Sequence, residues 1–121
     1  MRVEGDERLL RLAISNLLTN ATKYNLDEKG KIICKLSQSD SGFDILIQNT
    51  GPEISNEDKE KIFERFYRVD PARGSIKPGF GLGLSLARVI AAAHGGVLIL
   101  KSSEGGLNSF LMTIPHSKIN N

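Results

Sequence analysis

Asn16, Asn20 and Lys23 lie at helical spacing inside "NLLTNATKY", a stretch that otherwise reads as the core-forming part of a helix. At about 100° per residue the three fall within about 40° of one another along one side. A single border asparagine is ordinary, but each one costs the helix a few tenths of a kcal/mol against alanine. An amide oxygen is a hard ligand of the kind Mg²⁺ accepts beside retained waters. A lysine about one turn further on neutralises phosphate charge. The stripe therefore suits a ligand that brings anionic oxygens and a hard cation.

Two other stretches carry residues of the same bearing. In "KPGFGLGLSLARVIAAAHGG", Gly79, Gly81 and Gly83 occupy alternate positions directly before a helix. Glycines let a backbone approach a ligand closely, and the free N–H groups of a helix start favour anions. The pattern is neither a P-loop, since GxxxxGK[ST] is absent, nor a dinucleotide fingerprint, since Leu84 stands where GxGxxG needs glycine. In "DILIQNTGPEI" a strand runs out into Asn49, Thr50 and Gly51, with Ile54 after the turn. A polar side chain beside an apolar one at a strand end is suited to a flat base. Asn49 is placed to meet an exocyclic amine, with Ile54 and Tyr24 packing on the ring.

The elements that must position these residues follow from periodicity and punctuation. A first helix is predicted from Asp6, its N-cap, to Tyr24. Its apolar stripe is Leu10, Ala13, Ile14, Leu17, Leu18, Ala21 and Tyr24, with Arg8, Arg11, Ser15, Thr19 and Thr22 facing water. "GKIICKLSQ" and "GFDILIQN" are strands joined by the turn "SDSG". "SNEDKEKIFERF" reads as a short helix opened by a Ser55–Asp58 capping box. "YRVDPARGSIKPGFG" lacks apolar periodicity and reads as a lid-like loop of about fifteen residues. A third helix runs from Leu82 to His94 and stops at Gly95-Gly96. "GVLILKSS" and "NSFLMTIP" form a last strand pair around "EGG". The order α-β-β-α-loop-α-β-β implies an α+β sandwich with helices on one sheet face. "MRVEG" reads as a strand stub, which suggests a fragment of a longer protein.

The totals restrict the class. A chain of 121 residues, 40% hydrophobic and 25% charged, fits one domain with one core. A net charge of +2 with no Lys/Arg block argues against nucleic acid as a partner. The lone cysteine, Cys34, excludes an internal disulfide; set in "KIICKL", it reads as buried filler. No run of eighteen apolar residues and no signal-peptide pattern occurs, so a cytoplasmic domain that is not membrane-inserted is expected.

Taken together, the stretches resemble the ATP-binding catalytic domain of bacterial sensor histidine kinases, within the gyrase, Hsp90, histidine kinase and MutL superfamily. "NLLTNATKY" is similar to the N box, "NTGPEI" to the G1 box, "FERFYR" to the F box and "GFGLGL" to the G2 box. The four stand in the family's order and cover nearly the whole chain. The resemblance implies a two-layer α/β sandwich of the Bergerat type, a mixed sheet with three helices on one face, spanning residues 1–121. It implies ATP and Mg²⁺ as cofactors. Asn20 would be the metal ligand, and Asn16 would hydrogen-bond phosphate or metal-bound water. Lys23 and Tyr24 would contact phosphate and nucleoside, and Arg68 would reach the phosphates. Asn16, Lys23 and Arg68 would thus form the catalytic group. Asn49, Gly51 and Ile54 would hold the base. Gly79, Gly81, Leu82, Gly83 and Leu84 would shape the far side of the site. Phe63 and Phe66 would anchor the lid, and Ser109 would support the base site from the last strand.

Two departures from the family pattern stand out. The G1 box is usually D-x-G-x-G, and here Asn49 replaces the aspartate and Glu53 the second glycine. An amide oxygen still accepts a hydrogen bond, but the charge assistance is lost. Glu53 also asks a non-glycine residue to fit the turn. The second departure is the missing phospho-acceptor: His94 ends a helix and His116 lies in the polar tail, so both read as structural or solvated. The resemblance then implies transfer of the ATP γ-phosphate to a histidine on a separate dimerisation domain. A response regulator would act downstream, and the full-length protein would be membrane-anchored. Superfamily members that hydrolyse ATP place a glutamate where this chain has Asn16, which cannot serve as a general base. A gyrase- or MutL-like ATPase, a serine kinase, and a degenerate nucleotide-sensing or docking module are the alternatives.

Overall fold

The structure is a computed structural model and describes residues 6–23, 29–64 and 83–116. Helix α1 spans Glu7–Lys23. Asp6 caps it: its Oδ1 accepts the backbone N–H of Arg8 at 2.8 Å and of Leu9 at 3.3 Å, pairing amides that have no partner within the helix. Ala13, Leu17 and Ala21 are buried and Leu10 and Ile14 half-buried, as the apolar stripe predicts. Leu18 departs from it and is exposed, because it sits on the stripe's edge, turned from the sheet.

Strands β1 (Ile32–Ser39), β2 (Gly42–Thr50), β3 (Val97–Glu104) and β4 (Leu107–Pro115) form one sheet in the order β1-β2-β4-β3. Two hairpins are thus joined through their second strands. The β3–β4 turn uses Gly105 and Gly106 at φ 64° and 77°, the left-handed pair that a two-residue primed hairpin turn requires. All pairings among the described residues are antiparallel, so the sheet they form is antiparallel and not the mixed one expected.

Helix α2 (Gly83–Ala93) packs beside α1 on the same face of the sheet. Both helices bury alanines: Ala13 and Ala21 on α1, Ala87 and Ala91 on α2. Beneath them Leu17, Ile47, Leu98, Phe110, Met112 and Ile114 fill one core. Past Ala93 the chain turns as expected. Gly95 has φ 76° and donates to Ala92 O at 3.0 Å, while Gly96 donates to Ala91 O at 2.8 Å. His94 then ties the two helices together. Its Nε2 accepts the Asp6 backbone N–H at 3.0 Å, and its Nδ1 meets Ile90 O at 2.8 Å. His116 is similarly occupied, 2.7 Å from Ser39 O. Both histidines are structural.

The sandwich agrees with expectation, but its middle helix does not. The Ser55–Asp58 capping pair forms, with Asp58 N donating to Ser55 Oγ at 3.3 Å. Beyond it, however, the chain forms only a turn and a single 3₁₀ turn at Lys61–Phe63. Only Ile62 and Phe63 are buried there. So short and charged a segment, held at one point, has too little apolar face to stabilise further turns. Two α-helices, not three, are present among the described residues. Cys34 is also corrected. It is exposed, because β1 lies at the edge of the described sheet and the described helices pack mainly over β2, β4 and β3.

Candidate nucleotide site

Asn16, Asn20 and Lys23 occupy successive turns of α1 and are all half-buried, on the border between its core side and its solvent side. The start of α2 lies beside the first of them. A Cβ built on Gly83 would lie 3.8 Å from Asn16 Cβ and 4.0 Å from Asn16 Cγ. These are ordinary contact distances, so packing does not demand a glycine there. Leu84, the next residue, is half-buried against the core and fixes the helix start in depth. Two stretches nearly seventy residues apart in sequence are thereby brought side by side, with the N-terminal residue of an eleven-residue helix against Asn16.

The end of β2 supplies the next group. Asn49 is only 1% exposed. Its Nδ2 donates to Thr50 O at 3.0 Å, which orients the amide. Gly51 is buried, and its N–H extends the sheet by donating to Gly106 O at 3.0 Å. Ile54 packs on the edge of the core. Glu53 needs no glycine-like backbone: Lys29 is the one non-glycine residue with positive φ among those described. The loop after β2 therefore accommodates Glu53, where the family pattern has its second glycine, without positive-φ strain at that residue.

Sequence reasoning missed the groups that hold this loop. Ile54 N donates to Ser103 Oγ at 2.6 Å. The Ser103 hydroxyl makes a short hydrogen bond to Asn108 Oδ1, and Asn108 Nδ2 donates to Pro52 O at 3.0 Å. Asn108 was findable, since inward Phe110, Met112 and Ile114 put residue 108 on the same face. It stands opposite Asn49 in the β2–β4 register. Ser103 was not, because an irregularity between Leu100 and Ser102 shifts the alternation of β3. Ser109 is corrected: it pairs with Gln48, whose Nε2 donates to its Oγ at 2.8 Å, on the sheet face opposite Asn49.

Phe63 is buried and meets Phe110 edge-on at 6.2 Å. The Arg88 guanidinium lies 4.2 Å above the Phe63 ring and 3.2 Å from a Glu60 carboxylate oxygen, so α2 clamps this turn from above. Tyr24, Phe66, Arg68, Gly79, Gly81 and Leu82, with the loop 67–81, lie outside the described residues. A shallow groove along α1, lined by Arg11, Ile14, Ser15, Leu18, Thr19 and Thr22, shares no residue with the site.

The chain as a whole has counterparts among known proteins. The family of histidine kinase-, DNA gyrase B- and HSP90-like ATPases matches residues 5–118. The chain belongs to that family. SilS of Salmonella typhimurium, a probable sensor kinase, is 38% identical over 93% of this chain and 22% of its own length. The mycobacterial sensor histidine kinase MprB superposes with a TM-score of 0.81 at 31% identity, covering 93% of this chain and 76% of that one. Full-length ShkA in complex with AMPPNP superposes at 0.77 with 29% identity, covering 93% of this chain and 22% of that one. The domain is thus an ATP-binding catalytic domain of the sensor histidine kinase type, and it spans about a fifth of the length of its curated relative SilS. No described helix is long and apolar enough to cross a membrane.

Proposed function

We propose that this histidine kinase domain binds Mg·ATP between α1, the loop after β2 and the start of α2, and transfers the γ-phosphate to a histidine on a separate dimerisation domain. The observation that carries the proposal is the approach of Gly83 to Asn16, which sets a helix N-terminus against the first residue of the asparagine stripe. The binding of AMPPNP by ShkA supports it.

The donor set fits Mg²⁺. Asn20 is half-buried on the border of α1, and its amide oxygen is a hard donor of the class this cation takes singly, beside phosphate oxygens and water. Held by Asn20, the cation would supply positive charge to offset the negative charge that develops on the phosphates during transfer. Asn16 hydrogen-bonds phosphate from one turn earlier, and Lys23 adds positive charge one turn later. Arg68 contributes a second cation from beyond the described residues. Asn49 orients adenine through its amide oxygen, with Ile54 and Tyr24 against the ring; Gly51, Gly79, Gly81, Leu82 and Leu84 complete the walls. Asn16 carries no carboxylate to take a proton from water, which favours transfer over hydrolysis. His94 and His116 are both engaged with the backbone, which supports an acceptor outside this chain.

In the whole protein, a response regulator would receive the phosphoryl group, and a membrane anchor would link the domain to its stimulus. The test is transfer of labelled γ-phosphate to an added dimerisation domain of the same protein. Wild-type chain should label the acceptor histidine. Asn20→Ala, a half-buried position outside the core, should fold normally and lose nearly all transfer. Undiminished transfer by Asn20→Ala at saturating Mg·ATP would remove the metal assignment. Binding without transfer by the wild type would favour the degenerate nucleotide-sensing module that Asn49 suggests.

A further inference from the structure

We propose that Ser103 and Asn108 are positioning residues that hold the loop 51–54 in the shape the base site needs, a role resting on the nucleotide reading above. Once β2 ends, the backbone of this loop has few ways to be held. Gly51 still pairs with Gly106 across the sheet, but Pro52 has no N–H to offer and Glu53 is exposed. The next two backbone groups in play are Pro52 C=O and Ile54 N–H. Each is taken by a side chain from the β3–β4 hairpin: Asn108 Nδ2 donates to the first at 3.0 Å, and Ser103 Oγ accepts from the second at 2.6 Å.

The two side chains are themselves linked, Ser103 donating to Asn108 Oδ1. They are 6% and 3% exposed, so water does not compete for these groups. The result is a closed circuit of neutral hydrogen bonds, in which Ser103 is both acceptor and donor and Asn108 uses both ends of its amide. Such a satisfied buried network fixes one geometry, because any displaced member leaves a dry polar group unpaired. What it fixes is the residue pair flanking Glu53, including Ile54, the apolar wall of the base pocket. Asn108 stands opposite Asn49, yet its amide is turned to Pro52 and Ser103, so it acts through the loop and does not itself read the base.

The test uses the 121-residue chain, with Mg·AMPPNP as the probe and amide exchange of Ile54 as the second readout. Ser103→Ala should weaken AMPPNP binding about tenfold, the effect of one or two lost buried hydrogen bonds, and speed Ile54 exchange by a similar factor without nucleotide. Ser103→Thr, which keeps the hydroxyl, should recover both. Asn108→Ala should act in the same direction, and the double variant should do little more, since one circuit is broken either way. Thr113→Val is the control: it removes the 2.9 Å bond to Asp44 in the same sheet, away from the loop, and should lower stability without changing either readout. Unchanged affinity and Ile54 exchange in Ser103→Ala would overturn the proposal, as would an equal affinity loss in Thr113→Val. Failure of the wild type to bind AMPPNP would instead contradict the nucleotide reading, and the pinning of the loop would be decided by Ile54 exchange alone.

Discussion

Asn49→Asp restores the residue usual at the head of the G1 loop, and in this chain it should destabilise the nucleotide-free domain. Asn49 is 1% exposed and donates from Nδ2 to Thr50 O at 3.0 Å. An ionised carboxylate has no donor, so the substitution sets lone pairs against the Thr50 carbonyl in a dry place. Leaving such a pairing unmade costs about 1–3 kcal/mol. At about 4 °C per kcal/mol for a domain of this size, the melting temperature should fall by about 4–12 °C at pH 7. A protonated carboxyl can donate to Thr50 O, so folding raises the new group's pKa above its unfolded value of ~3.9. A raised folded pKa places the loss on the alkaline side. The deficit is absent below pH ~4 and grows as pH rises through the folded pKa. Thermal melts of both proteins at several pH values test this, and equal melting temperatures at pH 7 would refute the role given to the Thr50 bond. Bound adenine supplies an amine donor to the carboxylate, so the ratio of ATP to GTP affinity should rise about fivefold in competition binding. An unchanged ratio would refute the assignment of residue 49 to the base edge.

Gly83→Ala should leave the melting temperature unchanged or raise it slightly, because its Cβ meets Asn16 at an ordinary 3.8 Å and alanine favours a helix. AMPPNP affinity should nevertheless fall; a variant that binds like wild type would show that this space is not used by ligand. Gly96→Ala should unfold the domain at a markedly lower temperature, by about 4–12 °C, since its Cβ would lie 2.0 Å from the Thr113 carbonyl oxygen. A melt within a degree of wild type would contradict the close approach of that turn to β4.

Where the fold was set by local signals, it was legible in the sequence. The Asp6 cap, the Gly95-Gly96 stop and the glycine pair at 105–106 each act within a few residues, and each stands where the punctuation put it. The asparagine stripe was legible for the same reason, as a helix converts spacing directly into direction. Features set by tertiary context were not. Residues 56–60 carry helical-looking charge but form only turns, since Ile62 and Phe63 alone attach the segment to the core. Cys34 sits in an apolar run, yet it lies at the edge of the described sheet, away from the helices that cover its other strands. The irregularity in β3 turned Ser103 inward, and no pattern in "LKSSEGG" announces it. Ser109 was misplaced by one residue, and in a strand one residue is the difference between the two faces. The departure at Glu53 proved harmless for a reason only backbone angles reveal.

The proposed site sets nucleotide between the asparagine stripe of α1, the loop after β2 and the start of α2. Titration of the isotopically labelled chain with Mg·AMPPNP, followed by amide chemical shifts, tests it most directly. The largest changes should fall on Asn16, Asn20, Asn49, Gly51, Ile54 and Gly83, while Leu46, Ile99 and Leu111 on the far face of the sheet stay in place. The same titration without Mg²⁺ should leave Asn20 much less affected. Changes concentrated on the far face, or none at millimolar nucleotide, would contradict the account.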